Sequence, residues 1–144
     1  MPRPRQNHWD CVFIVFRELT GDDEATAFGR FAKYLTGAPG ITADALCACL
    51  YEAGWMVNKD YSRFPTDDAG FSAFWKSFVG EGALFYKVGE QEVGHAVVVR
   101  TGGRVFDPRV GSPEEGEFIV DHFKQFQGRP IAVGPFFVVT KPSN

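Results

Sequence analysis

Apolar residues fall in short runs separated by glycine, proline and acidic clusters, and the spacing within those runs changes along the chain. From Cys11 to Leu19 the residues are apolar nearly all round a helical projection, which predicts a buried helix. Its β-branched residues make a strand the local competitor. The Thr20-Gly21 stop, followed by Asp22, Asp23 and Glu24, favours helix, turn and a second capped helix. Asp10 is placed to cap the first helix from a start at Cys11. The second helix carries Phe28, Phe31, Ala32 and Leu35 on one stripe and runs to Gly37. After Pro39-Gly40, Thr42 caps a third helix through Ala53, closed by Gly54, with Leu46, Cys49, Leu50 and Ala53 inward. Residues 55–66 read as loop or irregular, anchored by Trp55 and Tyr61. Asp67 or Asp68 opens a fourth helix bearing Phe71, Phe74, Trp75, Phe78 and Val79, ended by Gly80 and Gly82.

The pattern then turns extended. Ala83–Val88 is a predicted strand, and Gly89–Gly94 a polar turn. Strands at 95–100 and 103–107 flank Thr101-Gly102-Gly103, a β-hairpin signature. Pro113-Glu114-Glu115 opens an acidic helix start, with Phe118, Ile119, His122, Phe123 and Phe126 as its stripe to Gly128. Ile131–Val133 and Phe136–Thr140 close the chain as strand, kinked at Gly134-Pro135. Helices come first and an antiparallel sheet second, which is an α+β pattern. Residues 1–9 read as an extended arm on a single domain spanning 1–144.

Composition narrows the function classes. Hydrophobic residues make up 44% and charged residues 23% of the 144, ordinary for a globular chain. The 15 phenylalanines imply an aromatic core. A net charge of −3 gives no footprint for nucleic acid. The longest apolar stretch, Val12–Phe16, is too short to span a bilayer, and no secretory signal peptide opens the chain. The expected location is therefore the cytoplasm, or delivery by a non-classical secretion system. Three cysteines, with Cys47 and Cys49 paired as Cys-x-Cys on a helix, fit neither a disulfide framework nor a zinc site. No metal and no cofactor are expected.

The chemistry-bearing residues are Cys11, His95 and Asp107. A cysteine at a helix start has its thiolate favoured by unpaired N–H groups and the helix dipole. A histidine entering one hairpin strand and an aspartate leaving the next can end side by side, where the carboxylate would orient the imidazole as a general base. The backbone N–H of Cys11 is one candidate oxyanion donor, and Gln6 or Asn7 just upstream another. His8 is the alternative base. The competing readings are a buried structural thiol at Cys11 and a plain turn at Asp107-Pro108. Cys47 and Cys49 read as core or helix-face residues, and His122 as a helix-face residue without a catalytic role.

Four segments, in this order, resemble the papain-like cysteine peptidase superfamily. They are Gln6-Asn7-His8-Trp9-Asp10-Cys11, Leu19-Thr20-Gly21, Gly94-His95-Ala96-Val97-Val98-Val99, and Val105-Phe106-Asp107-Pro108-Arg109-Val110-Gly111. The similarity is greatest to compact bacterial members, the bacteriocin-processing double-glycine peptidases and the papain-fold toxin or effector domains. It spans residues 6–111 by element order. Val12 follows the cysteine where the family often has Gly or Trp, and Gln6 stands one position nearer the cysteine than the family's glutamine usually does. The resemblance implies a papain-like fold, with the nucleophile helix packed on a C-terminal antiparallel sheet. It also implies cleavage of an amide bond in a protein or peptide through a thioester, by peptidase or deamidase action. Cys11 would be the nucleophile, His95 the base, Asp107 the orienting carboxylate and Gln6 the oxyanion donor. The alternatives are an inactive papain-like binding or inhibitory module, and an acyl or crosslinking transferase with the same triad.

Overall fold

The computed structural model describes residues 10–32, 43–61, 68–89, 95–107, 116–126 and 131–142. Its first element, α1 (Asp10–Thr20), is covered on every side. Val12, Phe13, Ile14, Val15 and Phe16 are consecutive and all buried. At 3.6 residues per turn, five in a row pass right round the helix, so packing rather than helix propensity stabilises this β-branched sequence. The helix starts at Asp10, one residue before the capping reading placed it. The Asp10 side chain lies outside what is described. Gly21 stops the helix in the left-handed region, φ 77°, with its N–H donated to the Arg17 carbonyl.

Two helices flank α1. In α2 (Glu24–Phe31) Asp23 is the N-cap, its Oδ1 accepting the Thr26 N–H at 2.7 Å. That hydrogen bond holds the Asp23 carboxyl below the usual carboxylate range. The inward positions are Ala27 and Phe31; Phe28 and Ala32, expected on the buried stripe, are exposed. Phe28 still meets the Phe13 ring edge-on, so it roofs the core rather than filling it. α2 closes at Phe31, with Ala32 as its C-cap, and not at Gly37; Leu35, Gly37, Pro39 and Thr42 lie outside the described residues. In α3 (Ala43–Glu52), Ala45, Leu46, Cys49 and Leu50 are buried, and Gly54 follows with φ 88°.

The segment expected to be irregular is a strand. β1 (Met56–Tyr61) pairs antiparallel with β6 (Ile131–Thr140). Its central Asn58-Lys59-Asp60 disfavours strand, and a long-range partner decides its conformation. α4 (Asp68–Ser77) then buries Trp75 against Phe71, Phe74 and Phe78. Val79 lies past its end and is 79% exposed. Gly82 does not end the helix either, since it lies inside β2 (Glu81–Val88). A Cβ there would meet the Phe137 carbonyl oxygen of the neighbouring strand.

The remaining elements are β3 (His95–Arg100), β4 (Arg104–Phe106), β5 (Glu117–Phe118) and α5 (Ile119–Lys124). Phe118, expected in the helix, belongs to β5, which pairs with β4. The Pro113-Glu114-Glu115 start and Gly128 lie outside the described residues. All pairings are antiparallel, in the order β1-β6-β2-β3-β4-β5. β6 runs unbroken through Gly134-Pro135, and the expected kink there falls where the register to β2 shifts, Leu84 facing Phe136 and Tyr86 facing Val133.

Alternation along the strands feeds two core layers. Ala83, Ala96, Val98 and Phe106 join α1, α2 and α3 on one face. Leu84, Tyr86, Val97, Val99 and Val105 join Trp75 of α4 and Ile119 of α5 on the other. The fold is α+β, with helices on both faces of an antiparallel sheet.

Candidate active site

The β3–β4 hairpin builds the central pair. A tight turn at Thr101–Gly103, with Gly102 and Gly103 both at φ 77°, sets Arg100 against Arg104 and Val98 against Phe106. Asp107, the first residue past β4, therefore falls beside Val97, and His95 lies on the same face of β3 two residues further along. His95 Nε2–H donates to Asp107 Oδ1 at 2.7 Å. That is the length of a charge-assisted bond. His95 is 5% and Asp107 4% exposed, so water does not compete for it. The partner sets the tautomer: Asp107 holds the proton on Nε2, which puts the ring's lone pair on Nδ1.

Three further residues extend this pair, and the sequence reading missed all of them. His122, expected on a helix face without a part in the site, is buried, with Nε2 at 2.8 Å from the Tyr86 hydroxyl and 3.8 Å from Asp107 Oδ2. Its Nδ1–H donates to Glu117 Oε1 at 2.9 Å. Tyr86 pairs with His95 across β2 and β3, and its ring packs edge-on against both imidazoles. The one signal in the sequence was His122 sitting among Ile119, Phe123 and Phe126 on an inward stripe, since a buried imidazole needs a polar partner.

Cys11 lies in the first turn of α1; its side chain lies outside what is described, and Gln6, Asn7 and His8 lie outside the described residues altogether. Cys49 is a core thiol whose sulfur is 3.5 Å from the Arg30 carbonyl, and Cys47 is half-buried on the same helix. Neither is in a disulfide. Among the described residues no group of three or more His, Cys, Asp and Glu side chains could hold a metal ion, and no helix is long and apolar enough to cross a membrane.

The other end of β3 is held by Arg100. There Arg100 donates to the Glu18 side chain and carbonyl, both at 3.2 Å, and to Glu81 at 3.4 Å. These bonds tie the last turn of α1 to the sheet. An open cleft of 670 Å³ lies beside them, lined by Glu18, Trp55, Glu81, Arg100 and Lys141 among others. It is remote along the strand from His95. Comparison with protein-family models and with curated proteins gives no match.

Proposed function

We propose that the chain is a papain-like cysteine hydrolase acting on an amide bond of a protein or peptide. Cys11 is the nucleophile, His95 the base and then the acid, Asp107 the orienting carboxylate, and Gln6 an oxyanion donor. The observation that carries this reading is the buried 2.7 Å bond from His95 Nε2 to Asp107 Oδ1. A carboxylate on one ring nitrogen fixes the tautomer and orients the ring, which is what a general base requires.

The run of α1 supports it. The helix packs on β3, and Arg100 ties Glu18 to the end of β3 farthest from His95. From Glu18 back to Cys11 the helix rises about 10 Å, and β3 covers about 17 Å. A helix running back along β3 from that tie would carry Cys11 toward the His95 end. The thiolate would attack the carbonyl carbon, and the C–N bond would break as His95 protonates the leaving amine. Water, deprotonated by the same ring, would then release the acyl group and restore the thiol. Peptidase and deamidase share every one of these steps.

The test is alkylation of the folded chain by iodoacetamide from pH 5 to 9, with each cysteine followed by mass spectrometry. The expected result is Cys11 labelled at pH 6 at least about tenfold faster than a model thiol, an excess lost in His95→Ala and kept in a Cys47→Ala, Cys49→Ala double variant. Ordinary reactivity at Cys11 would refute the reading.

One observation favours a second reading, an inactive module that holds a peptide partner. His95 and Asp107 lie on the α4–α5 face of the sheet, and α1 packs on the other. The thiol must therefore meet the ring around the end of the sheet. The same alkylation series separates the two. A transferase would show itself by diverting product to an added primary amine.

A further inference from the structure

The hydrolase reading uses one oxygen of Asp107. The other faces His122, whose ring is held at both nitrogens. A carboxylate such as Glu117 only accepts, so Nδ1 carries a proton and donates it. The Gln125 side-chain amide, 3.3 Å from Nδ1, donates a hydrogen to the His122 carbonyl at 2.9 Å and, being a donor itself, cannot bond an Nδ1–H. With Nδ1–H fixed, a neutral ring offers its Nε2 lone pair to the Tyr86 hydroxyl proton. The same Nε2 stands 3.8 Å from Asp107 Oδ2, beyond hydrogen-bond length. Asp107 thus stands between two imidazoles, one on each oxygen.

We propose that His122 is a positioning residue for the candidate site: with Tyr86 and Glu117 it backs the Asp107 carboxylate, so that Oδ1 stays aimed at His95. The inference rests on the hydrolase reading. The terminal torsion of an aspartate is broad and two-fold, so a single hydrogen bond defines its plane poorly. A buried group facing the second oxygen narrows it. The polar groups around His122 come from every neighbouring element: Tyr86 of β2, His95 of β3, Asp107 after β4 and Glu117 of β5. On α5 itself Asp121 and Lys124 pair with each other at 2.9 Å. Lys76 of α4 lies over the Phe118 ring.

The experiment compares full-length wild type with His122→Gln, Tyr86→Phe, Glu117→Gln and His95→Ala. It reads two quantities: the pH–rate curve of Cys11 alkylation by iodoacetamide, and the imidazole nitrogen resonances of His95. His122→Gln is expected to slow alkylation at pH 6 by at least about 2-fold, a modest effect because His122 faces Oδ2 at 3.8 Å without a hydrogen bond to it. It should also shift the His95 Nε2 resonance away from its wild-type position. Tyr86→Phe and Glu117→Gln should move both in the same direction by less. They decide the question if His122→Gln does not fold, because one removes a single oxygen and the other alters a half-exposed residue. Variants that lower stability while leaving the curve and the His95 resonances at wild-type values would overturn the proposal. Loss of the reactivity excess in His95→Ala, with the other three like wild type, refutes positioning by His122 alone. Unchanged reactivity in His95→Ala removes the hydrolase reading and this inference with it.

Discussion

Removing the Asp107 carboxylate is the most informative perturbation of this protein. Asp107→Ala deletes the acceptor of a 2.7 Å bond whose two partners are 5% and 4% exposed. A hydrogen bond to a charged group contributes about 1.5–3 kcal/mol, and a buried donor left without its acceptor costs a similar amount. Taking about 2 kcal/mol, the loss at about 1.4 kcal/mol per decade is roughly 30-fold in Cys11 alkylation at pH 6. The melting temperature should fall by about 4–8 °C for a chain of this size. Asp107→Asn keeps a carbonyl oxygen for His95 Nε2–H and loses the charge. It should therefore hold most of the stability and only part of the reactivity. The assay is iodoacetamide labelling of Cys11 alongside thermal unfolding of the same three proteins. Equal reactivity and equal stability in wild type, Asp107→Asn and Asp107→Ala would refute the argument, because a buried charge-assisted bond cannot be deleted without effect. A loss of stability alone would make Asp107 a structural partner of His95 and reduce the proposed triad to a dyad.

Three further outcomes follow from the fold. Gly103→Ala should destabilise by about 1–3 kcal/mol in urea unfolding, because φ is 77° and the new Cβ would press on Phe118 and Trp75; unchanged stability would mean the hairpin turn is built otherwise. Phe16→Ala should cost about 3–5 kcal/mol, since the ring is fully buried and meets Phe31 edge-on at 5.1 Å; a loss below about 1 kcal/mol would contradict a core built round α1. The Asp23 carboxyl is held low by the Thr26 N–H, so its capping contribution is complete above the ordinary aspartate range and fades as pH falls through the lowered folded value. Asp23→Ala should narrow the stability gap to wild type on acidification, and a gap independent of pH between 2 and 6 would refute that sign.

The parts legible in the sequence are those set by local pattern. A helix apolar all round has to be buried, and Val12–Phe16 are. Gly21, Gly54 and Gly102 stop or turn the chain where the backbone needs positive φ. The hairpin signature at Thr101-Gly102-Gly103 sets a register that brings Asp107 beside His95, so that pair could be read from spacing alone. Tertiary structure decided whatever depended on a distant partner. β1 has Asn58, Lys59 and Asp60 at its middle, and β6 offers it the ladder that makes it a strand. Phe28 carries a core signal but lies exposed over the Phe13 ring, and Phe118 carries a helical signal but pairs as a strand with β4, both set by partners from other segments. His122 shows the limit most clearly. Its place on an aromatic stripe said that it was buried, but its partners Tyr86, Asp107 and Glu117 come from three other segments. A hydrogen bond between residues far apart in the chain leaves no periodicity behind, so only the folded sheet, which sets those segments side by side, could reveal it.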